Sequence, residues 1–384
     1  MTNQPNNSNN FDAEKNANDI TNNIGNNSKN FNKKHKKKMK TPLKVLLIIL
    51  LCFLIIIGSL FGTFLVLRKR GKDRLTSKNG NASFPTDIID AMENDGEVIY
   101  KNGEKYVLNK NIVSFIFMGV DKTDINGTKQ NGNAGQADSI SLIALDTAEK
   151  RVKVLPISRE TMVDVDMYSA TGEKTGTEKK QLCLAYSYGN GGKTSCENVK
   201  KSVSRLLYGM DIKSYYAMEL EGVSKLTDKI GGIDLTALET LNGSYSIIKN
   251  ESVNLKGGKA IFYIQERSND LTANQGRMAR QKQFMSALTK KCGKNILSNF
   301  TNLVTYYNVL KPYSYTDLSL SDVTYLASEC LSTKLLNEIE YLDISGNTSL
   351  GKDNHSEFNA DSNSVYNAVV DIFYKKTTDG NTSK

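Results

Sequence analysis

Residues 45–67, VLLIILLCFLIIIGSLFGTFLVL, are 23 consecutive apolar or small residues without a charge. As an α-helix the run is roughly 34 Å long, enough to cross a hydrocarbon core of about 30 Å. A secretory signal core is shorter, and no Ala-x-Ala cleavage pattern follows. The run therefore predicts one uncleaved transmembrane helix, and with it a chain divided between two compartments. Seven lysines precede it (KKHKKKMK at 33–40, plus Lys44), and five cations follow it (Arg68, Lys69, Arg70, Lys72, Arg74). The excess on the N-terminal side predicts a cytoplasmic N-terminus. The expected location is the cell membrane, single-pass, with the long C-terminal part extracytoplasmic.

The net charge of +9 invites a nucleic-acid reading. Its distribution argues against one. Residues 1–74 carry 14 Lys/Arg against 4 Asp/Glu, and the rest of the chain carries 36 against 37. The excess is a membrane flank, not a binding face, so no nucleic-acid partner is expected. Cysteine usage fits an outside domain. Cys52 is in the span, and Cys183, Cys196, Cys292 and Cys330 form an even set beyond it. An even set outside the cytoplasm suggests disulfides. Of the three pairings, Cys183–Cys196 with Cys292–Cys330 closes the shortest loops. No pair has zinc-ligand spacing.

The chain divides by composition. Residues 1–44, rich in Asn and Lys, form a disordered basic tail. The helix 45–67 leads to a stalk or lead-in at 68–111. A catalytic-type domain is expected over 112–293, a mainly helical extension over 294–376, and a frayed tail over 377–384. Within the domain, IVSFIFMGVD (112–121), SISLIALD (139–146), RVKVLPIS (151–158) and SYYAMEL (214–220) read as strands, the middle two joined as a hairpin by TAEK. SCENVKKSVSRLLYG (195–209), with Ser195 as N-cap, EGVSKLTDKIGG (221–232), GGKAIFYIQER and GRMARQKQFMSALTKKC (276–292) read as helices. Strands interspersed with helices predict an α/β fold, a mixed sheet between helical layers.

Familiar catalytic sets are scarce. The two histidines, His35 in the tail and His355 in a late polar loop, do not suggest a nucleophile–base pair. SYGNGGKT (187–194) lacks the first glycine of a phosphate-binding loop, and reads as a Gly-rich turn. What remains is acids and arginines at strand ends. Asp121 closes one strand, Asp138 opens the next, and Arg159 follows the third; ligand sites in α/β sheets gather at such edges. Two carboxylates there suit Mg²⁺, or Mn²⁺ in its place, shared with a phosphate. The stretch YIQERSNDLTANQGRMARQKQ (263–283) adds Arg267, Arg277 and Arg280, and guanidinium is the fork that grips phosphate oxygens in pairs.

In order, FIFMGVD, QADSISLIALD, VKVLPISRETMV, LAYSYGNGG, KIGGIDL and GGKAIFYIQERSNDLTANQGRMARQKQ resemble the LytR–CpsA–Psr family of cell-envelope transferases, over residues 112–293. The resemblance implies a mixed sheet between helices with an apolar tunnel for a polyprenyl chain. It also implies transfer of a glycopolymer (teichoic acid, capsule or similar) from a polyprenyl-pyrophosphate carrier to peptidoglycan; the Asn- and Lys-rich composition, which suggests an AT-rich genome, is compatible with a Gram-positive source. Carried over by motif, Asp121 and Asp138 would bind Mg²⁺. Arg159, Gln265, Arg267, Arg277, Arg280 and Gln281 would surround the pyrophosphate, with Arg159, Arg267 and Arg277 catalytic beside the two acids. Three departures stand out: Gln265 where the family pattern has a first arginine, Gln136–Ala137 where Arg-Ser often precedes the acid, and Glu160 for a frequent Asp. The pocket has fewer cations than the pattern.

The implied reaction is phosphoryl transfer. An acceptor hydroxyl attacks the phosphorus beside the glycopolymer and polyprenyl phosphate leaves, with either Asp121 or Asp138 taking the proton. Two alternatives stay open: a hydrolase using water at the same site, and a non-catalytic membrane-anchored regulator or wall-binding module.

Overall fold

Alternation with a period of two builds the centre of the molecule. The computed structural model describes residues 62–76, 82–121, 125, 134–266, 273–331, 339–351 and 354–377, all within the unit Phe61–Lys384. Six strands form the central sheet: β1 (Ile112–Val120), β2 (Ala137–Asp146), β3 (Arg151–Ile157), β4 (Ser214–Glu219), β5 (Ser314–Thr316) and β6 (Ile339–Tyr341). Their order is β5-β4-β1-β2-β3-β6. β4 runs parallel to β1 and β6 parallel to β3; the other pairs are antiparallel. The expected hairpin is there, with Asp146 opposite Arg151 across the turn 147–150.

The two faces of this sheet differ. Ile116 and Met118, Ile140 and Leu142, Leu155 and Ile157 point to one side and are sealed in the main core. That core is closed by helices Lys193–Leu206 and Ser362–Phe373 through residues such as Val199, Val203, Val369 and Ile372. The alternate residues Phe115, Phe117, Ile143 and Val154 face the other side and stay half-buried. Over that face lie helices Leu220–Lys229, Ala273–Ser298, Thr301–Leu310 and Leu320–Leu331. The α/β class and the mixed sheet between helices agree with the sequence reading.

Several expectations change. Helix 195–209 begins earlier, at Lys193, with Gly192 rather than Ser195 as its N-cap. Ser195 is fully buried, donating to the Tyr186 carbonyl (2.5 Å) and accepting from Gly191 N–H (2.7 Å). The stretch 68–111 is no free stalk. A helix over 62–75 docks on Leu320–Leu331, and strands Ala91–Glu93, Val98–Lys101 and Glu104–Leu108 form a sheet with the C-terminal strand Tyr374–Lys376. Residues beyond 293 supply β5, β6 and core helix Ser362–Phe373, so no boundary falls at 293/294. They are also less helical than expected: β5 and β6 are short strands that only distant partners define, and Gly346–Leu350 pairs with Ser356–Ala360 as a local hairpin. Residues 45–61 of the expected span lie outside the described residues. Among those described, no helix is long and apolar enough to cross a membrane.

Candidate functional site

The half-buried sheet face does not meet its helices closely. Between them runs a cavity of about 1590 Å³. Its floor is the odd-numbered run of β2 (Ser139, Ser141, Ile143, Leu145) with Val152, Val154 and Pro156 of β3 beside it. Four residues of the long helix, Arg277, Gln281, Met285 and Leu288, form one stripe of its roof, because spacings of three and four share a helix face. Ser139 to Leu145 spans roughly 20 Å at strand rise. Along that length the lining turns from charged to apolar. Asp138, Arg159, Arg277 and Gln281 lie at one end, and Leu145, Val152, Leu318, Val323 and Leu326 toward the other.

A β-bulge aims the acid at the charged end. Gly119 pairs with Ser139 but Val120 with Ala137, which leaves Asp138 as the extra residue of β2. The alternation breaks there: Asp138 and Ser139 are both exposed between buried Ala137 and Ile140. Bulges re-aim side chains in this way beside functional sites. Asp121 follows β1, and its Oδ1 accepts from Gln136 N–H at 2.7 Å.

Arg159 follows β3 on a turn closed by Thr161, whose N–H and hydroxyl both donate to the Ser158 carbonyl. Its guanidinium donates to Asp138 Oδ1 and Gln136 Oε1, and reaches Cys183 Sγ at 3.6 Å. Burial alone would lower the Arg159 pKa, but contacts with Cys183 and Asp138 outweigh it and raise the pKa. Burial also pushes the Cys183 thiol up. The sulfur is therefore protonated at neutral pH, and the Asp138 carboxylate is what holds the guanidinium's charge. Gln136 and Cys183 were not legible as partners of Arg159; only the unusual Gln136 before the acid hinted at one. At the same mouth, Glu160 accepts from the Ser356 hydroxyl (2.9 Å), and His355 and Ser356 line the opening from the late hairpin.

Not every expected residue reaches this end. Arg280 is fully buried and lines no part of the cavity. It donates through Nε to Glu239 (2.7 Å) and through its two terminal nitrogens to the carbonyls of Tyr263 and Glu266. It sits about 60° around the helix from Arg277 and about 100° from Gln281, off the lining stripe, and ties helix Gly258–Gln265 to the long helix. Gln265 is exposed at the end of its helix and outside the lining. Gln281 does line the cavity, donating to the Ile264 carbonyl at 3.0 Å. Arg267 lies outside the described residues.

The four outer cysteines are not bridged, so neither expected disulfide is present. Cys183 faces Arg159, whereas Cys196 is sealed in the main core. Burial pushes Cys292 and Cys330 up to about 11, which keeps both protonated.

Among the described residues no group of three or more His, Cys, Asp or Glu side chains could hold a metal alone. Asp138 lines the cavity and Asp121 does not, although Asp121 is bonded to Gln136, which does; as donor chemistry the two carboxylates suit a hard cation. Arg159 engages one oxygen of Asp138 and Gln136 N–H one oxygen of Asp121, so each acid keeps a second oxygen. Mg²⁺ takes one or two carboxylates and completes its shell with water and phosphate oxygens.

Fold and site together define a mixed α/β protein whose sheet floors a long apolar slot ending in carboxylates and guanidinium groups. The chain belongs to the LytR–CpsA–Psr family, whose model matches residues 81–371. It is 27% identical over 188 residues to the polyisoprenyl-teichoic acid–peptidoglycan teichoic acid transferase TagV of Bacillus subtilis. That match covers 47% of this chain and 44% of the relative, less than half of its length. With TagU of Enterococcus faecalis, which carries the same transferase name, it is 22% identical over 275 residues, covering 71% and 82%. The crystal structure of B. subtilis TagV superposes with a TM-score of 0.55 at 23% identity, covering 68% of this chain and 96% of that one. A structure of TagT bound to LI-WTA gives 0.51 at 16% identity, covering 68% and 90%. At these identities the structures establish the fold.

Proposed function

We propose that this protein is a membrane-anchored, extracytoplasmic phosphotransferase. It moves a glycopolymer from a polyprenyl-pyrophosphate carrier to peptidoglycan. One observation carries the reading: a single cavity joins an apolar slot to an end holding Asp138, Arg159 and Arg277. A long hydrocarbon tail with an anionic head has that same polarity. The transferase names of the relatives support the reaction class. The expected span 45–67 supports the anchor, with the domain outside the cell.

The slot takes the polyprenyl chain, which removes its apolar surface from water. The pyrophosphate then lies against Arg159, Arg277 and Gln281, with Arg267 as a further candidate. The guanidinium groups offset charge on the equatorial and leaving oxygens, which is most of what phosphoryl transfer asks of a protein. Asp121 and Asp138 would hold Mg²⁺, which supplies further charge neutralisation at the phosphate oxygens. Arg159 holds the Asp138 carboxylate in place. The acceptor hydroxyl enters at the open mouth near Glu160 and His355, and its proton goes to one of the two acids.

The test uses the full chain in nanodiscs with a carrier-linked glycopolymer and labelled peptidoglycan, in Mg²⁺ or in EDTA. The expected result is metal-dependent release of polyprenyl phosphate with label joined to peptidoglycan. Asp138→Asn and Arg159→Gln should each reduce the rate by about 10²–10³-fold, the usual cost of removing one charge-stabilising group. Release without joining would make the protein a hydrolase. Carrier binding without release would make it a non-catalytic module.

A further inference from the structure

Ten large apolar side chains are exposed among the described residues, and five of them gather at one corner. Leu297, Phe300 and Val304 sit at spacings of three and four where helix Ala273–Ser298 turns into Thr301–Leu310; they are 58%, 39% and 40% exposed. Leu65 and Val66 belong to the helix over 62–75. The Phe64 ring meets Phe300 edge-on at 5.3 Å between centroids, which joins the two groups. Isolated exposed apolar residues are ordinary, but a contiguous set marks an interaction surface.

The occupant follows from where the chain leads. The corner's helix is the direct continuation of the apolar run: residues 64–66 are its last turn, and residues 45–61 precede them. Immediately after come Lys69, Arg70 and Lys72, all exposed, as befits the level of anionic headgroups. The helix is not free to swing. Arg68 donates to Ser328 (3.0 Å) and pairs with buried Glu329, which Lys150 also meets. Arg74 pairs with buried Asp322 and donates to the Asp317 carbonyl at 2.8 Å. Between them Gly71 packs so closely that an added Cβ would lie 2.7 Å from Tyr325 Cβ. Held this firmly, the helix over 62–75 fixes the corner at which residues 45–61 join the domain.

We propose that Leu297, Phe300 and Val304 form a second membrane contact. This apolar knob inserts beside the anchor at the boundary between headgroups and acyl chains. It lies about 30 Å along the long helix from Arg277. Helix Thr301–Leu310, which carries Val304, lines the cavity through Leu310, and helix Leu320–Leu331, on which the helix over 62–75 docks, walls its apolar end through Val323 and Leu326 beside Leu318. The contact therefore turns the apolar end of the slot toward the bilayer and the charged end away from it. The inference rests on the reading of residues 45–67 as a membrane span.

The chain has no tryptophan, so a single substitution makes a clean reporter. Full-chain Phe300→Trp, Val304→Trp, Leu54→Trp and Ile248→Trp are placed in nanodiscs of brominated or plain phosphatidylcholine. Ile248 is more exposed than either but belongs to the segment bonded near Thr240, toward the Arg280 end. Phe300→Trp and Val304→Trp should emit to the blue and lose emission to shallow bromines. Leu54→Trp should be quenched by deep ones, and Ile248→Trp by neither. Val304→Trp replaces an exposed side chain, so it serves if Phe300→Trp unfolds. Quenching at Leu54 alone overturns the second contact and leaves the anchor standing. No quenching at any position overturns both. Quenching at Ile248 equal to that at Phe300 and Val304 also overturns the contact, since it would show no preferred corner.

Discussion

Arg280→Gln should destabilise the domain without removing a ligand contact. The arginine is fully buried, and its loss leaves Glu239 and the carbonyls of Tyr263 and Glu266 without their donor. Glutamine is too short to serve three acceptors. Breaking a buried charge network of this kind costs about 3–5 kcal/mol. Unfolding about 310 residues at about 2.1 cal/mol/K each gives an entropy near 0.65 kcal/mol/K, so the expected fall in Tm is about 5–8 °C. Arg159→Gln, at a site one-third exposed, should move Tm by less than about 1 kcal/mol allows, roughly 2 °C. The assay pairs thermal unfolding of full-chain variants with binding of a fluorescent polyprenyl phosphate at about 20 °C, below both transitions. Arg280→Gln should unfold early and still bind; Arg159→Gln should unfold normally and bind poorly. If Arg280→Gln kept the wild-type Tm but lost binding, its assignment to the framework would be wrong.

Three further outcomes are expected. Gly71→Val should undock the helix over 62–75, since even a Cβ overlaps Ser321 and Tyr325; hydrogen exchange over 320–331 should quicken, at a cost of about 1–3 kcal/mol. Ile143→Trp fills the slot midway, and should weaken long-chain carrier binding by about 10- to 100-fold while a short-chain analogue binds as before. Burial opposes the charge on Asp166, but hydrogen bonds from Lys201, Lys174, Arg205 and Thr177 outweigh it and hold its carboxyl well below the usual range. A depressed carboxylate stabilises the fold above its unfolded pKa of about 3.9 and loses that contribution as pH falls further. Denaturant titrations of Asp166→Asn should show a lower plateau at pH 7, by about 3 kcal/mol, and a flatter decline below pH 4 than wild type.

How far the site was legible can be traced residue by residue. Asp121, Asp138 and Arg159 stand at strand ends that hydrophobic periodicity marks, so their gathering at one sheet edge could be read beforehand. The broken alternation at Asp138–Ser139 was also in the text, although only the register shift identifies it as a bulge. Arg277 and Arg280 looked equivalent, three apart in one basic stretch. Three residues apart, their directions differ by only about 60°, so what packs on each side decides which of them lines the cavity. Cys183 and Cys196 satisfied an even count but point to different surroundings, one toward Arg159 and the other into the core.

By itself the sequence determined four of the six strands of the sheet, the apolar run at 45–67, the basic flanks and the family. These are local: each rests on the period, length or order of neighbouring residues. Tertiary structure decided that one face of the sheet is sealed and the other left as a slot. It also decided that residues 68–111 and 294–376 belong to the folded unit. Both faces carry apolar residues, so their difference lies in the helices that cover them, and those come from residues far apart in the chain. Glu329 and Asp322 gave no sign in the sequence that they would bind Arg68 and Arg74, more than 240 positions away. Such pairings depend on where the folded elements meet, and the pattern along either helix does not contain that information.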